Sequence, residues 1–137
     1  MNGGTLTHRV LLIESDERLA QQIRDYLGRY GFAVTVVRRG DLAVAAVREH
    51  LPALVMLDLM PPHPDGLDVC RQIRAFSNVP VIVLTTCADA CDQVAVFDAG
   101  ADDYVAKPLA PRVLVARARA LLRRVYRVSQ GETDAAT

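Results

Sequence analysis

Short, continuous apolar runs alternate along this chain with longer stretches of helical periodicity. The runs, rich in β-branched residues, fall at Arg9 to Ile13, Ala33 to Val37, Leu54 to Leu57, Val81 to Leu84 and Tyr104 to Ala106. Apolar residues at consecutive positions mark strands buried on both faces, as in a parallel sheet covered by helices on each side. The pattern therefore predicts a strand–helix unit repeated five times, an α/β domain with a doubly wound, five-stranded parallel sheet. Leu19, Ile23, Tyr26 and Leu27 repeat at helical spacing behind Asp16, an N-cap residue, and that helix stops by Gly31. Asp41 is placed to cap Leu42 to Glu49, Asp65 and Gly66 to introduce a third helix, and Pro111 to open the last one before Leu114, Ala118, Leu121 and Leu122. Ala88 to Ala99 predicts a short, weak helix, because its apolar residues are small and three aspartates interrupt them. Periodicity is absent from residues 1–8 and fades after Arg124. The expected organisation is a flexible lead-in over 1–8, one domain over 9–125 and a linker or disordered tail over 126–137.

Four of the apolar runs end on polar residues suited to phosphoryl chemistry: Glu14, Asp58, Thr85 and Lys107. Ligands of open parallel sheets bind outside the carboxyl ends of the strands, so these runs would gather two carboxylates, a hydroxyl and an ammonium around one crevice. Lys107 is the one lysine of the chain, whose other basic residues are arginines. A carboxylate can accept a phosphoryl group if a divalent cation neutralises the incoming oxygens, and Asp58 is the candidate nucleophile. Mg²⁺ favours one or two carboxylates, with water and phosphate completing its shell. Glu14, Asp58 and the main-chain carbonyl of Met60 can supply ligands, while Lys107 and Thr85 would each contact a phosphoryl oxygen.

The totals narrow the setting. A chain of 137 residues is one domain of ordinary size. Its 16 basic and 16 acidic residues balance, so it has no general attraction to nucleic acid or membrane. Without a signal peptide or an apolar run near the roughly 18 residues of a membrane span, the expected location is cytoplasmic, with Cys70, Cys87 and Cys91 as free thiols.

The motifs D-L-M-x-P-x-x-D-G at Asp58 to Gly66, L-T at Leu84-Thr85 and G-A-D-D-Y-x-x-K-P at Gly100 to Pro108 resemble a receiver domain of two-component response regulators, of the OmpR/PhoB subfamily. The resemblance covers Arg9 to Arg124. It implies a flavodoxin-like (βα)5 fold with strand order 2-1-3-4-5, and a signalling module rather than an enzyme. It further implies that Asp58 accepts phosphate from a sensor histidine kinase, that Thr85 and Tyr104 form a switch pair, and that Lys107 contacts the acyl phosphate. Phosphorylation would then drive homodimerisation through the fourth helix, fifth strand and fifth helix, with DNA bound through a separate C-terminal domain and not by the receiver itself. Asp98, Asp103, Val113, Arg117 and Arg119 are the expected dimer face, with Asp103–Arg117 and Asp98–Arg119 as cross-subunit pairs. Family members commonly pair an arginine on the fourth helix with a glutamate on the fifth; Gln93 and Val113 stand there instead.

Other departures touch the chemistry. The family's second acidic residue after the first strand is Ser15 here, so Mg²⁺ is expected to bind weakly. The loop after Asp58 reads Pro61-Pro62-His63-Pro64, stiffer than usual, with an imidazole at the pocket mouth. Met60 and Cys87, each two positions beyond a site residue, are poor partners for an attacking water, so self-dephosphorylation is expected to be slow. An alternative is a pseudo-receiver, an interaction module working without phosphate, favoured by Ser15 and disfavoured by Asp58, Thr85 and Lys107. An aspartyl-nucleophile phosphohydrolase fits less well, because Met60 occupies the position of its general acid. A dinucleotide site lacks its glycine-rich turn.

Overall fold

The fold was read from a computed structural model that describes residues 8–59, 65–86 and 90–136, with side chains for all but 65, 90–92 and 126–136. Strands β1 (His8–Ile13), β2 (Phe32–Val37), β3 (Leu54–Asp58), β4 (Val81–Thr85) and β5 (Asp103–Ala106) form one sheet in the order β2-β1-β3-β4-β5, every neighbouring pair parallel. Between and after them run α1 (Glu17–Gly28), α2 (Ala43–His50), α3 (Asp65–Phe76), α4 (Ala90–Asp98) and α5 (Pro111–Ala136).

Side chains of a strand alternate between its faces, and both faces are apolar here. Val10, Leu12, Met56, Ile82 and Leu84 pack under α1 and α5, against Ile23, Leu27, Leu114 and Leu122. Leu11, Ile13, Val55, Leu57, Val81 and Val83 pack on the other side, against Ala46 and Val47 of α2, Cys70 and Ile73 of α3 and Val96 of α4. β3 and β4 are buried along their whole length, which accounts for the uninterrupted apolar runs.

The ends of the elements follow local chemistry. Asp16 caps α1 by accepting a hydrogen bond from the Leu19 N–H at 3.1 Å. Asp41 does not cap α2: residues Gly40–Leu42 form a 3₁₀ turn, the helix begins at Ala43 behind Leu42, and no side chain caps it. The Asp41 carboxylate is taken instead by Arg39, whose Nε and Nη2 lie 3.0 and 2.7 Å away, so a local ion pair displaces the expected cap. Gly66, buried in the first turn of α3, lets the Leu59 side chain pack onto it; a Cβ there would push the end of that side chain aside. β1 begins one residue earlier than expected, at His8, and the backbone of α5 is helical to Ala136.

Candidate functional site

The parallel arrangement brings four strand ends to one edge of the sheet. Asp58 and Thr85 are the last residues of β3 and β4, and Glu14 and Lys107 directly follow β1 and β5. Their backbones are fixed by the sheet's own hydrogen bonds: the Glu14 N–H donates to Val37 O at 2.9 Å, and the Lys107 N–H to Thr85 O at 2.7 Å. The buried polar residues among the described ones are Glu14, Asp58 and Thr85, all of them predicted site residues.

Their charges meet directly. Lys107 Nζ donates to Glu14 Oε1 at 3.1 Å and lies 2.7 Å from Asp58 Oδ1. The second Glu14 oxygen accepts the Asp16 N–H at 3.1 Å. The Asp58 contact is a buried ion pair, with Lys107 as the charged partner of Oδ1. Glu14 is 1% exposed, and its burial, followed by the negative charge of Asp58, raises its pKa above the ordinary 4.5. Burial on its own would lower the pKa of Lys107, but the Asp58 and Glu14 carboxylates outweigh it and raise the value above 10.5. The crevice thus holds two carboxylates and one firmly protonated amine that contacts both.

Tyr104 sits opposite Val83 in the β4–β5 register, half-buried, with its ring edge-on to Phe97 of α4 at 6.1 Å between centroids. Phe97 was not singled out in the sequence; an aromatic near the end of a weakly amphipathic helix was its one signal. On the expected dimer face, Arg117 reaches Asp103 of its own chain at 3.2 Å. Arg119 lies over the Tyr30 ring, just past the end of α1, 5.1 Å from its centroid. Val113 and Asp98 are exposed. Met60, the Pro61–Pro64 stretch with His63, Cys87 and the Cys91 side chain lie outside the described residues.

A parallel sheet of this strand order with a charge cluster at its carboxyl edge is the architecture of a signal receiver domain, and comparison with known proteins gives the family. The model of the response regulator receiver domain matches residues 10–119, and the chain belongs to that family, as a receiver domain of two-component response regulators. It is 48% identical over 120 residues to the DNA-binding response regulator MtrA of Mycolicibacterium smegmatis, covering 88% of this chain and 53% of that protein. It is 42% identical over 118 residues to the transcriptional regulatory protein BaeR of Escherichia coli, covering 86% and 49%. The chain spans about half the length of the curated relatives it matches. Among solved structures, the BeF3-activated N-terminal receiver domain of Klebsiella pneumoniae RstA superimposes with a TM-score of 0.78 at 35% identity, over 84% of this chain and 98% of that one. A Francisella response regulator receiver domain gives 0.81 at 27% identity, over 87% and 99%. No helix among the described residues is long and apolar enough to cross a membrane.

Proposed function

We propose that this domain is a phosphorylation switch in which Asp58 takes a phosphoryl group from a sensor histidine kinase. The observation that carries the reading is the burial of Asp58 beside Glu14 at the carboxyl edge of the sheet, with Lys107 Nζ 2.7 Å from its Oδ1. A carboxylate held in fixed geometry next to an ammonium that can neutralise incoming phosphoryl oxygens suits a phosphoryl acceptor.

Glu14, Asp58 and the Met60 carbonyl would hold Mg²⁺, whose role is to neutralise phosphoryl oxygens. Two carboxylates suit a cation that keeps much of its water. Ser15 presents a neutral hydroxyl where the family usually has a carboxylate, so binding is weak. Lys107 orients the phosphoryl group as a point charge, and Thr85 with Tyr104 relays its presence towards Phe97. The output is a homodimer through α4, β5 and α5, with Asp98, Asp103, Val113, Arg117 and Arg119 on that face. DNA is bound by a further domain, as the names of the relatives suggest, and not by this receiver. Residues 9–125 are the receiver, and 126–137 lead out of it. The domain works in the cytoplasm as a signal receiver and not as an enzyme acting on a separate substrate.

Intact mass after incubation with acetyl phosphate and Mg²⁺ tests the acceptor. Wild type gains one phosphoryl group and Asp58→Asn gains none. A gain retained by Asp58→Asn defeats the assignment, and no gain in wild type from either acetyl phosphate or a histidine kinase favours the pseudo-receiver.

A further inference from the structure

β2 supplies nothing to the predicted site, yet the residue that follows its last position does reach it. Arg38 lines the same cavity, of about 360 Å³, as Ser15 and Asp58. We propose that Arg38 makes this cavity a subsite for the leaving group of an acyl phosphate, so that Arg38 determines which small phosphodonors the domain uses. The inference rests on Asp58 being the acceptor and adds the chemistry of the donor.

Asp58 is part of the cavity wall, with Lys107 at its carboxylate. In-line displacement puts the leaving group on the side of phosphorus away from the attacking oxygen, so a donor seated in this cavity would carry its leaving group away from Asp58 and within the same walls. Arg38 joins the wall from the end of β2, and Asp68 and Gln72 join it from α3. Of the carboxylates there, Asp41 is bound by Arg39 at 2.7 Å, and Asp68 accepts from the Gln72 amide at 3.1 Å. Arg38 itself has a loose partner: Glu17 at 3.5 Å, in a pair whose side chains are 54% and 80% exposed. Such an exposed pair holds its cation weakly. With a hydroxyl at position 15 in place of a carboxylate, the guanidinium is available to an incoming anion, with a planar fork matched to a carboxylate.

The transfer balances without a proton. An Asp58 carboxylate oxygen forms a bond to phosphorus, the bond from phosphorus to the acetyl oxygen breaks, and its electron pair leaves on acetate. Negative charge therefore grows on the leaving carboxylate during the step, where a fixed donor stabilises the transition state more than the ground state. Phosphoramidate gives the contrast, because its protonated nitrogen leaves as ammonia and offers no anion to Arg38.

The test uses the full chain with saturating Mg²⁺ and measures kcat/KM for acetyl phosphate and for phosphoramidate, in wild type, Arg38→Gln and Arg38→Lys. The ratio of the two donors' kcat/KM values falls about tenfold in Arg38→Gln, the order expected for one charge-assisted hydrogen bond at an accessible site, and recovers in part in Arg38→Lys. Because each variant is its own reference, a loss of folded protein cancels from the ratio. A ratio unchanged in Arg38→Gln, whether both rates fall together or neither falls, overturns the subsite. If wild type gains mass from neither donor, the acceptor reading fails and takes the subsite with it, whereas a changed ratio with Asp58→Asn inert supports both.

Discussion

Two charged clusters sit at opposite ends of the same strands and are wired in opposite ways. At the amino ends of β4 and β5, Arg74 donates to Gly100 O at 3.1 and 2.7 Å, to Ser77 O at 3.0 Å, to Val79 O at 2.8 Å and to Asp102 Oδ2 at 3.1 Å. Asp102 returns the favour to the sheet by accepting the Val81 N–H at 2.8 Å. Gly100, with φ of +109°, lets this backbone come close; a Cβ there would sit 3.1 Å from the Arg74 side chain. At the carboxyl ends, Glu14, Asp58 and Lys107 are more deeply buried, and their side chains hold one another, with Lys107 Nζ 3.1 Å from Glu14 Oε1 and 2.7 Å from Asp58 Oδ1. One cluster spends its donors on loop carbonyls and fixes the fold. The other sets two carboxylates on one ammonium.

The largest effect comes from breaking the structural cluster. Arg74→Met keeps the apolar stem but leaves the carbonyls of Gly100, Ser77 and Val79 without this donor, and should cost about 3 kcal/mol in urea unfolding. The exposed Asp102 contact adds little to that figure. Mass gain from acetyl phosphate should persist in this variant wherever it is folded, because no acceptor atom is touched.

Lys107→Met should cost somewhat less, about 2 kcal/mol at neutral pH, because the carboxylates left behind can take up a proton. The sign with pH distinguishes this from ordinary packing loss. In wild type the raised pKa of Glu14 means that the folded state keeps a proton which the unfolded chain releases near 4.5. That contribution is complete below about 4.5 and is lost as pH rises through the folded value. Lys107 has the same sign in another window: its contribution is complete below 10.5 and lost above it, as pH rises through its higher folded value. Urea midpoints across the acidic to neutral range should therefore show a decline that disappears in Glu14→Gln and steepens in Lys107→Met. An unchanged slope in Glu14→Gln would remove Glu14 from this account.

The smallest effect sharpens the metal side. Ser15→Asp adds the carboxylate that the family usually has, and Mg²⁺ should bind about tenfold more tightly, on the order of 1.4 kcal/mol. Equal titration curves for the two proteins would mean that another group already compensates for Ser15.

The carboxyl-end cluster was legible in the sequence and the Arg74 cluster was not, for a physical reason. Glu14, Asp58, Thr85 and Lys107 each close an apolar run, and a parallel sheet necessarily gathers such ends. Arg74 lies mid-sequence on a helix, and most of its partners are backbone carbonyls, up to 26 positions away, which no side-chain pattern announces. Asp41 was misread because capping and pairing with Arg39 compete for one carboxylate, and spacing alone does not rank them. Arg38 was passed over because the β2 run ends on a residue type that also fills ordinary surface turns.

The central claim is that Asp58, the carboxylate paired with Lys107, is the acceptor, and chemical trapping tests it most directly. Borohydride reduces an aspartyl phosphate to homoserine, so wild type incubated with acetyl phosphate and Mg²⁺, reduced and mapped by peptide mass spectrometry should carry homoserine at position 58 and aspartate at 16, 41, 68, 102 and 103. Homoserine at any of those other positions, with Asp58 unmodified, would contradict the account.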